Sequence, residues 1–151
     1  MRDRVAILLC VIAAATAAPA ATGAEASPSA RSAHTLSVNA NAEMHYVRSS
    51  GATLIEEGKV TGQLGGHARA DFTLGATFAG TFTFYTAQGE IEGRGTATPH
   101  AAGRYETFAG HDTITGGTGR YAHAHGSGSM YGSFDRQTYA VKIQTRGTLH
   151  Y

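Results

Sequence analysis

His123 and His125 are the sharpest chemical feature of the chain. On a strand, residues two apart project from one face, and two imidazoles there are the start of a zinc or copper site. Such a site needs three or four ligands, and Ser129 and Met130 stand where a cupin-like hairpin following Gly117 would supply a glutamate. The pair is therefore read as surface histidines beside Ser127 and Ser129, a metal candidate lacking a third ligand, and no cofactor is expected. His111 and Asp112 are the residue types of an oriented general base, but neighbours on a strand point to opposite faces and cannot touch. Asp112 and Glu56 are more informative. Asp112 shares the parity of Phe108 and Ile114, and Glu56 that of Leu54. A carboxyl on the apolar face of a strand must be paired, protonated or placed at a strand end. These two are the candidate catalytic acids, groups whose pKa burial would raise. Tyr46, Tyr139 and Tyr151 share the inward parity too, and each brings a hydroxyl that can hydrogen-bond a ligand.

The elements that must position these residues follow from one period. Leu36, Val38, Ala40, Ala42, Met44 and Tyr46 alternate with Thr35, Ser37, Asn39, Asn41, Glu43 and His45, the pattern of a half-buried strand. The same alternation recurs over 53–64, 67–74, 77–87, 90–98, 104–115, 124–134 and 139–151. Between these segments lie turn signals such as Ser49-Ser50-Gly51, Gly65-Gly66, Gln88-Gly89 and Asp135-Arg136-Gln137. Eight short, evenly spaced strands predict an all-β fold, an eight-stranded antiparallel barrel. The glycines of 115–121 mark one irregular stretch, and Asp112, shortly before it, is expected at the barrel mouth as a turn cap or a pocket acid. Glycine on the inward parity of several strands suits a small, strongly coiled barrel. Eight strands enclose room for packed side chains or for one small ligand.

The first residues read differently. Arg2 and Arg4 precede the apolar run Val5–Ile12 and an Ala-rich stretch, the layout of a secretory signal peptide. Cleavage is expected after Ala26, with Ala20 and Ala24 as alternatives. The apolar run is shorter than the ~20 residues of a membrane-spanning helix. The expected organisation is a signal peptide over 1–26, a small polar leader over 27–33 and one barrel domain over 34–151. Export to the periplasm, cell envelope or medium follows. Cys10, the only cysteine, leaves with the signal peptide, so no disulfide staples the domain. A net charge of +1 provides no field for nucleic acid, and the main body is too apolar, at 42% hydrophobic residues, to be disordered. There is no Gly-x-Ser-x-Gly elbow, no His-Glu-x-x-His, and no phosphate loop, since no lysine follows Gly116-Gly117-Thr118-Gly119.

The segment Ile114-Thr115-Gly116-Gly117-Thr118-Gly119-Arg120-Tyr121, followed by Gly126-Ser127-Gly128 and Gly147-Thr148-Leu149-His150-Tyr151, resembles the C-terminal signature of allene oxide cyclase and dirigent-like barrels. The Thr/Gly-rich hairpin Phe78-Ala79-Gly80-Thr81-Phe82-Thr83-Phe84 is similar to those of exported bacterial members. The resemblance covers about residues 53–151. It implies a calycin-type barrel with a hydrophobic cavity, activities that cyclise or couple reactive small molecules, and assembly as a homodimer or homotrimer. The chain departs from the family at Ala122-His123-Ala124-His125.

Together these readings give an exported barrel that binds a small hydrophobic molecule and steers its cyclisation or coupling, with neither nucleic acid nor a membrane span. Tyr46, Phe78, Phe82, Phe84, Asp112, Met130 and Tyr139 are the expected ligand-binding residues. In any catalysis the shaped cavity would select one conformer, while Asp112, Glu56 or a tyrosine polarised an oxygen. Two alternatives stand beside this one. In the first, a non-catalytic structural or interaction protein, Phe72, Phe78, Phe82, Phe84, Met130 and Phe134 fill the barrel. In the second, a metal-binding protein uses His123 and His125.

Overall fold

A computed structural model describes residues 34–100 and 103–151; the expected signal peptide and leader lie outside the described residues. The strands are β1 (Thr35–Ser50), β2 (Thr53–Gly62), β3 (Gly66–Thr73), β4 (Phe78–Thr86), β5 (Gly89–Pro99), β6 (Tyr105–Gly117), β7 (His125–Asp135) and β8 (Val141–His150). Each pairs antiparallel with its neighbours in sequence order, and β8 pairs back onto β1 from Thr35↔His150 to Met44↔Val141. The barrel is closed, so no strand presents an unpaired edge. Apart from a three-residue 3-10 turn at Gly119–Tyr121, the described residues hold no helix, and thus none long and apolar enough to cross a membrane.

Period-two alternation sets the inside. On β1, Val38, Ala40, Ala42 and Met44 are buried while Ser37, Asn39, Asn41 and Glu43 are exposed. The inward set of the other strands joins them in one core that includes Val60, Ala68, Phe78, Ile91, Ala97, Phe108, Phe134, Val141 and Leu149. Removing such side chains from water stabilises by about 1.5–3 kcal/mol each for the larger ones.

The two ends close differently. At the end carrying both described termini, Tyr121 packs edge-on against Tyr151 at 5.0 Å, and the Arg120 guanidinium lies 5.0 Å over the Tyr151 ring. Arg120 also donates to the Tyr151 hydroxyl at 3.2 Å and to Gln88 Oε1 at 2.9 Å. His34 stacks on Tyr151 at 5.6 Å, and the backbones of the two residues exchange hydrogen bonds. The opposite end carries a chain of aromatic contacts from Phe108 through Phe78, Phe134 and Tyr139 to Tyr46, with centroid separations of 5.4–6.2 Å. Tyr139 adopts a positive φ of 59° in the β7–β8 turn, a strained backbone for a tyrosine that the ring contacts help to hold.

Candidate functional site

Large and small inward side chains do not cancel. β1 and β3 contribute Ala40, Ala42, Ala68 and Ala70 to the wall, their paired neighbours β8 and β4 contribute Ile143, Phe82 and Phe84, and β7 contributes Met130. The volume missing from the alanine side leaves a cavity of about 100 Å³. About 10–15 Å³ in this measure already holds a water, so the space suits several waters or a small organic molecule. Phe78, Phe82, Phe84, Met130 and Asp112, five of the expected ligand-binding residues, line it. Phe72 and Phe134 also stand around the space, so the aromatic set of the structural alternative surrounds a cavity and does not fill the barrel.

A second compartment of about 20 Å³ lies toward the end that carries the termini, between Leu64, Ile114 and Leu149. Phe82, Phe84, Asp112 and Thr145 line both spaces and form the waist between them. The rings of Phe82 and Phe84 are 4.9 Å apart. Asp112 stands in mid-strand: β6 continues to Gly117, which corrects its expected place at the mouth. Its neighbours in register are Gly95 on β5 and Gly128 on β7, and the next in that row is Gly147 on β8. A methyl group at Gly128 would stand 2.7 Å from Asp112 Oδ1, so the missing side chain makes room for the carboxyl. Asp112 is 5% exposed. Burial pushes its carboxyl above the usual carboxylate range. The Thr145 hydroxyl, the charge of outward-facing His111 and the Gly128 backbone N–H each pull it back.

Glu56 is inward as expected, opposite Tyr46 on β1 and Ala70 on β3. It is 0% exposed, and neither carboxyl oxygen has a hydrogen-bond partner. Burial alone raises its pKa from 4.5 to about 8, so it is a neutral acid at pH 7. It does not line the cavity, so the structure does not bring the two candidate acids together in one site.

Tyr46 and Tyr139 are corrections. Tyr46 keeps the inward parity of Met44 and pairs with inward Glu56, and β1 shifts register only after it; it stands at the barrel end, where the rim leaves it open to solvent. Tyr46 is 39% exposed and donates to Ser49 Oγ at 3.3 Å, while Tyr139 is 41% exposed in its turn. Both lie outside the cavity lining, stacked on each other at 5.4 Å. His123 and His125 are both exposed, as expected of surface histidines, but β7 begins at His125 and leaves His123 in the preceding turn. His125 instead stacks on His150 at 5.1 Å, with its Nδ1 3.2 Å from the His123 carbonyl oxygen. Among the described residues no three His, Cys, Asp or Glu side chains converge as a metal site.

Two inward polar residues escaped the reading of the sequence. Thr145 follows Ile143 on the buried parity of β8, and Glu106 precedes Phe108 on that of β6. The alternation that placed Asp112 inside placed them too. Glu106 is held by Arg136, whose Nη2 is 2.7 Å from Oε2 and whose Nε is 2.9 Å from the same oxygen. No family model, curated protein or solved structure matches the chain.

Proposed function

We propose that this is an exported binder of a small, mostly apolar molecule, held between the alanine wall of β1 and β3 and the aromatic side chains of β4, with its polar group at Asp112 and Thr145. One observation carries the reading: an apolar cavity of about 100 Å³ into which a single carboxyl projects. Cavities with this balance, apolar walls and few fixed polar groups, are those that bind small molecules. The resemblance to allene oxide cyclase and dirigent-like barrels supports it, since an eight-stranded barrel around a hydrophobic cavity is what that resemblance implies. If the bound molecule is reactive, the same walls would favour one folded conformer for ring closure or coupling, and Asp112 would polarise an oxygen. Export rests on Arg2, Arg4 and the apolar run Val5–Ile12.

Native mass spectrometry of the protein purified from its source tests this reading. A stoichiometric organic adduct that is lost on denaturation supports it and gives the ligand class. A bare mass, in a protein that also takes up no small apolar probe in calorimetry, refutes it.

A further inference from the structure

The interior is acidic and unanswered. The buried polar residues are Glu56, Glu106 and Asp112, all carboxylic acids, and no lysine, arginine or histidine among the described residues is buried. Glu106 is neutralised by Arg136 reaching in from the β7–β8 turn. Asp112 forms no ion pair among the described residues, yet it is the one carboxyl that faces the cavity. A buried carboxylate without a cation is strongly disfavoured, and a ligand that brings the cation removes that penalty. The surroundings suit an ammonium group. Phe82 and Phe84 border the same two compartments as Asp112, so a cation at the waist lies against aromatic rings as well as a carboxylate. The Thr145 hydroxyl can accept one of the three ammonium hydrogens. An anionic ligand, such as a fatty acid, would instead place like charges together.

We propose that the molecule held in this barrel is a small organic cation, an alkyl- or aralkylammonium whose nitrogen pairs with Asp112 at the waist while its apolar part fills the cavity. This rests on the binding function proposed above and names its ligand class. Binding an ammonium fixes Asp112 in its charged form, so a protonated Asp112 releases its proton as the amine binds. Amine affinity therefore falls as the pH drops through the titration of Asp112. The groups facing Asp112 across the neighbouring strands, Gly95, Gly128 and Thr145, do not titrate near neutrality, and the side chains of Arg94 and Arg146 face outward. His111 adjoins Asp112 from the outer face, so a His111→Gln variant is the control for the pH profile.

Isothermal titration of the full-length protein at pH 7 with n-hexylamine, 1-hexanol and hexanoate tests the assignment and needs no variant. The amine is expected to bind about tenfold to a hundredfold more tightly than the alcohol, the advantage of a charge-assisted hydrogen bond in a dry site, and hexanoate not at all. In Asp112→Asn that advantage disappears, while 1-hexanol binding changes by less than about threefold. Thr145→Val, which keeps the charge, retains most of it. Hexanol binding as tightly as hexylamine, or an undiminished amine advantage in Asp112→Asn, overturns the cation assignment and leaves the binding function standing. Failure of all three probes to bind overturns both.

Discussion

Glu56 offers the most direct test of how this barrel carries its acids. Both of its carboxyl oxygens are buried without partners, and its pKa stands at about 8 against 4.5 for an ordinary glutamate. The folded pKa is the raised one, so the group favours folding fully below pH 4.5, and that contribution is lost as the pH climbs through about 8. Each pH unit in between removes about 1.4 kcal/mol, and the whole interval about 5 kcal/mol. That is comparable to the entire stability of many small domains. Glu56→Gln keeps the shape and removes the titration. Urea unfolding, followed by circular dichroism and tyrosine fluorescence from pH 5 to 9, should show the stability of the variant declining more slowly than that of the wild type by about 1.4 kcal/mol per pH unit up to about pH 8. Asp112 is shifted in the same direction, so the difference between the two proteins is the readout. Glu56→Met, which replaces the stranded oxygens by apolar atoms, should exceed the wild type at pH 7 by about 3 kcal/mol. Parallel pH profiles for wild type and Glu56→Gln would refute the reasoning, because they require a carboxyl that is paired or wetted in the fold.

The glycines inside the barrel are not equivalent. A methyl group at Gly93 overlaps the Phe82 ring and crowds the Thr113 carbonyl, whereas at Gly95 it meets only the flexible end of Met130 at 2.8 Å. Thermal unfolding should find Gly93→Ala destabilised by about 2 kcal/mol or more and Gly95→Ala within about 1 kcal/mol of wild type. Arg136→Ala strands the buried Glu106 carboxylate and should lower stability by about 2 kcal/mol in denaturant unfolding. Adding Glu106→Gln should recover most of that loss; no recovery would mean Arg136 acts through packing. Ala42→Ile fills the cavity of about 100 Å³ from the β1 side. It should abolish hexylamine binding in calorimetry while raising stability by up to about 2 kcal/mol, the cavity term for that volume.

What the sequence discloses here follows from how regular the alternation is. Where β7 and β8 alternate cleanly, strand limits are legible to within two residues, β1 runs three residues beyond its clean alternation, and the closed barrel follows from the even spacing of the turns. Tyr46 has the parity the alternation gives it, but parity says nothing of depth, and Tyr46 stands at the barrel end just before the register shift, outside the enclosed space. Tyr139 fails for a related reason: it belongs to the β7–β8 turn, with β8 starting at Val141, so no strand parity governs it. His123 likewise lies two residues before the strand that would have aligned it with His125. Asp112 is legible as an inward acid, yet its depth depends on β6 continuing through Gly116 and Gly117, residues that read as part of an irregular stretch. The cavity itself depends on the volumes of all the strands that line it. It becomes visible only once the pairing sets Ala68 beside Phe84, Ala70 beside Phe82 and Ala42 beside Ile143 around one space with Met130.

Under the proposed binding function, that arrangement would divide selectivity between two walls. The alanine side offers no hydrogen-bonding side chain, so it discriminates by size; the waist carries Asp112 and Thr145, so it discriminates by charge. An amine series from ethylamine to hexylamine reads the two separately. Asp112→Asn removes the same interaction from every member and should weaken all of them by one common factor, about tenfold or more. Ala42→Ile occupies only the space taken by the longer chains. It should leave ethylamine within about threefold of wild type and exclude hexylamine, because overpacking is felt only where atoms must overlap. The opposite pattern, ethylamine lost as completely as hexylamine in Ala42→Ile, would place the ammonium against β1 and away from Asp112. A shared loss that grows with chain length in Asp112→Asn would make the carboxyl a support for the cavity wall, since a charge contact at one end of a chain is indifferent to the length of the other.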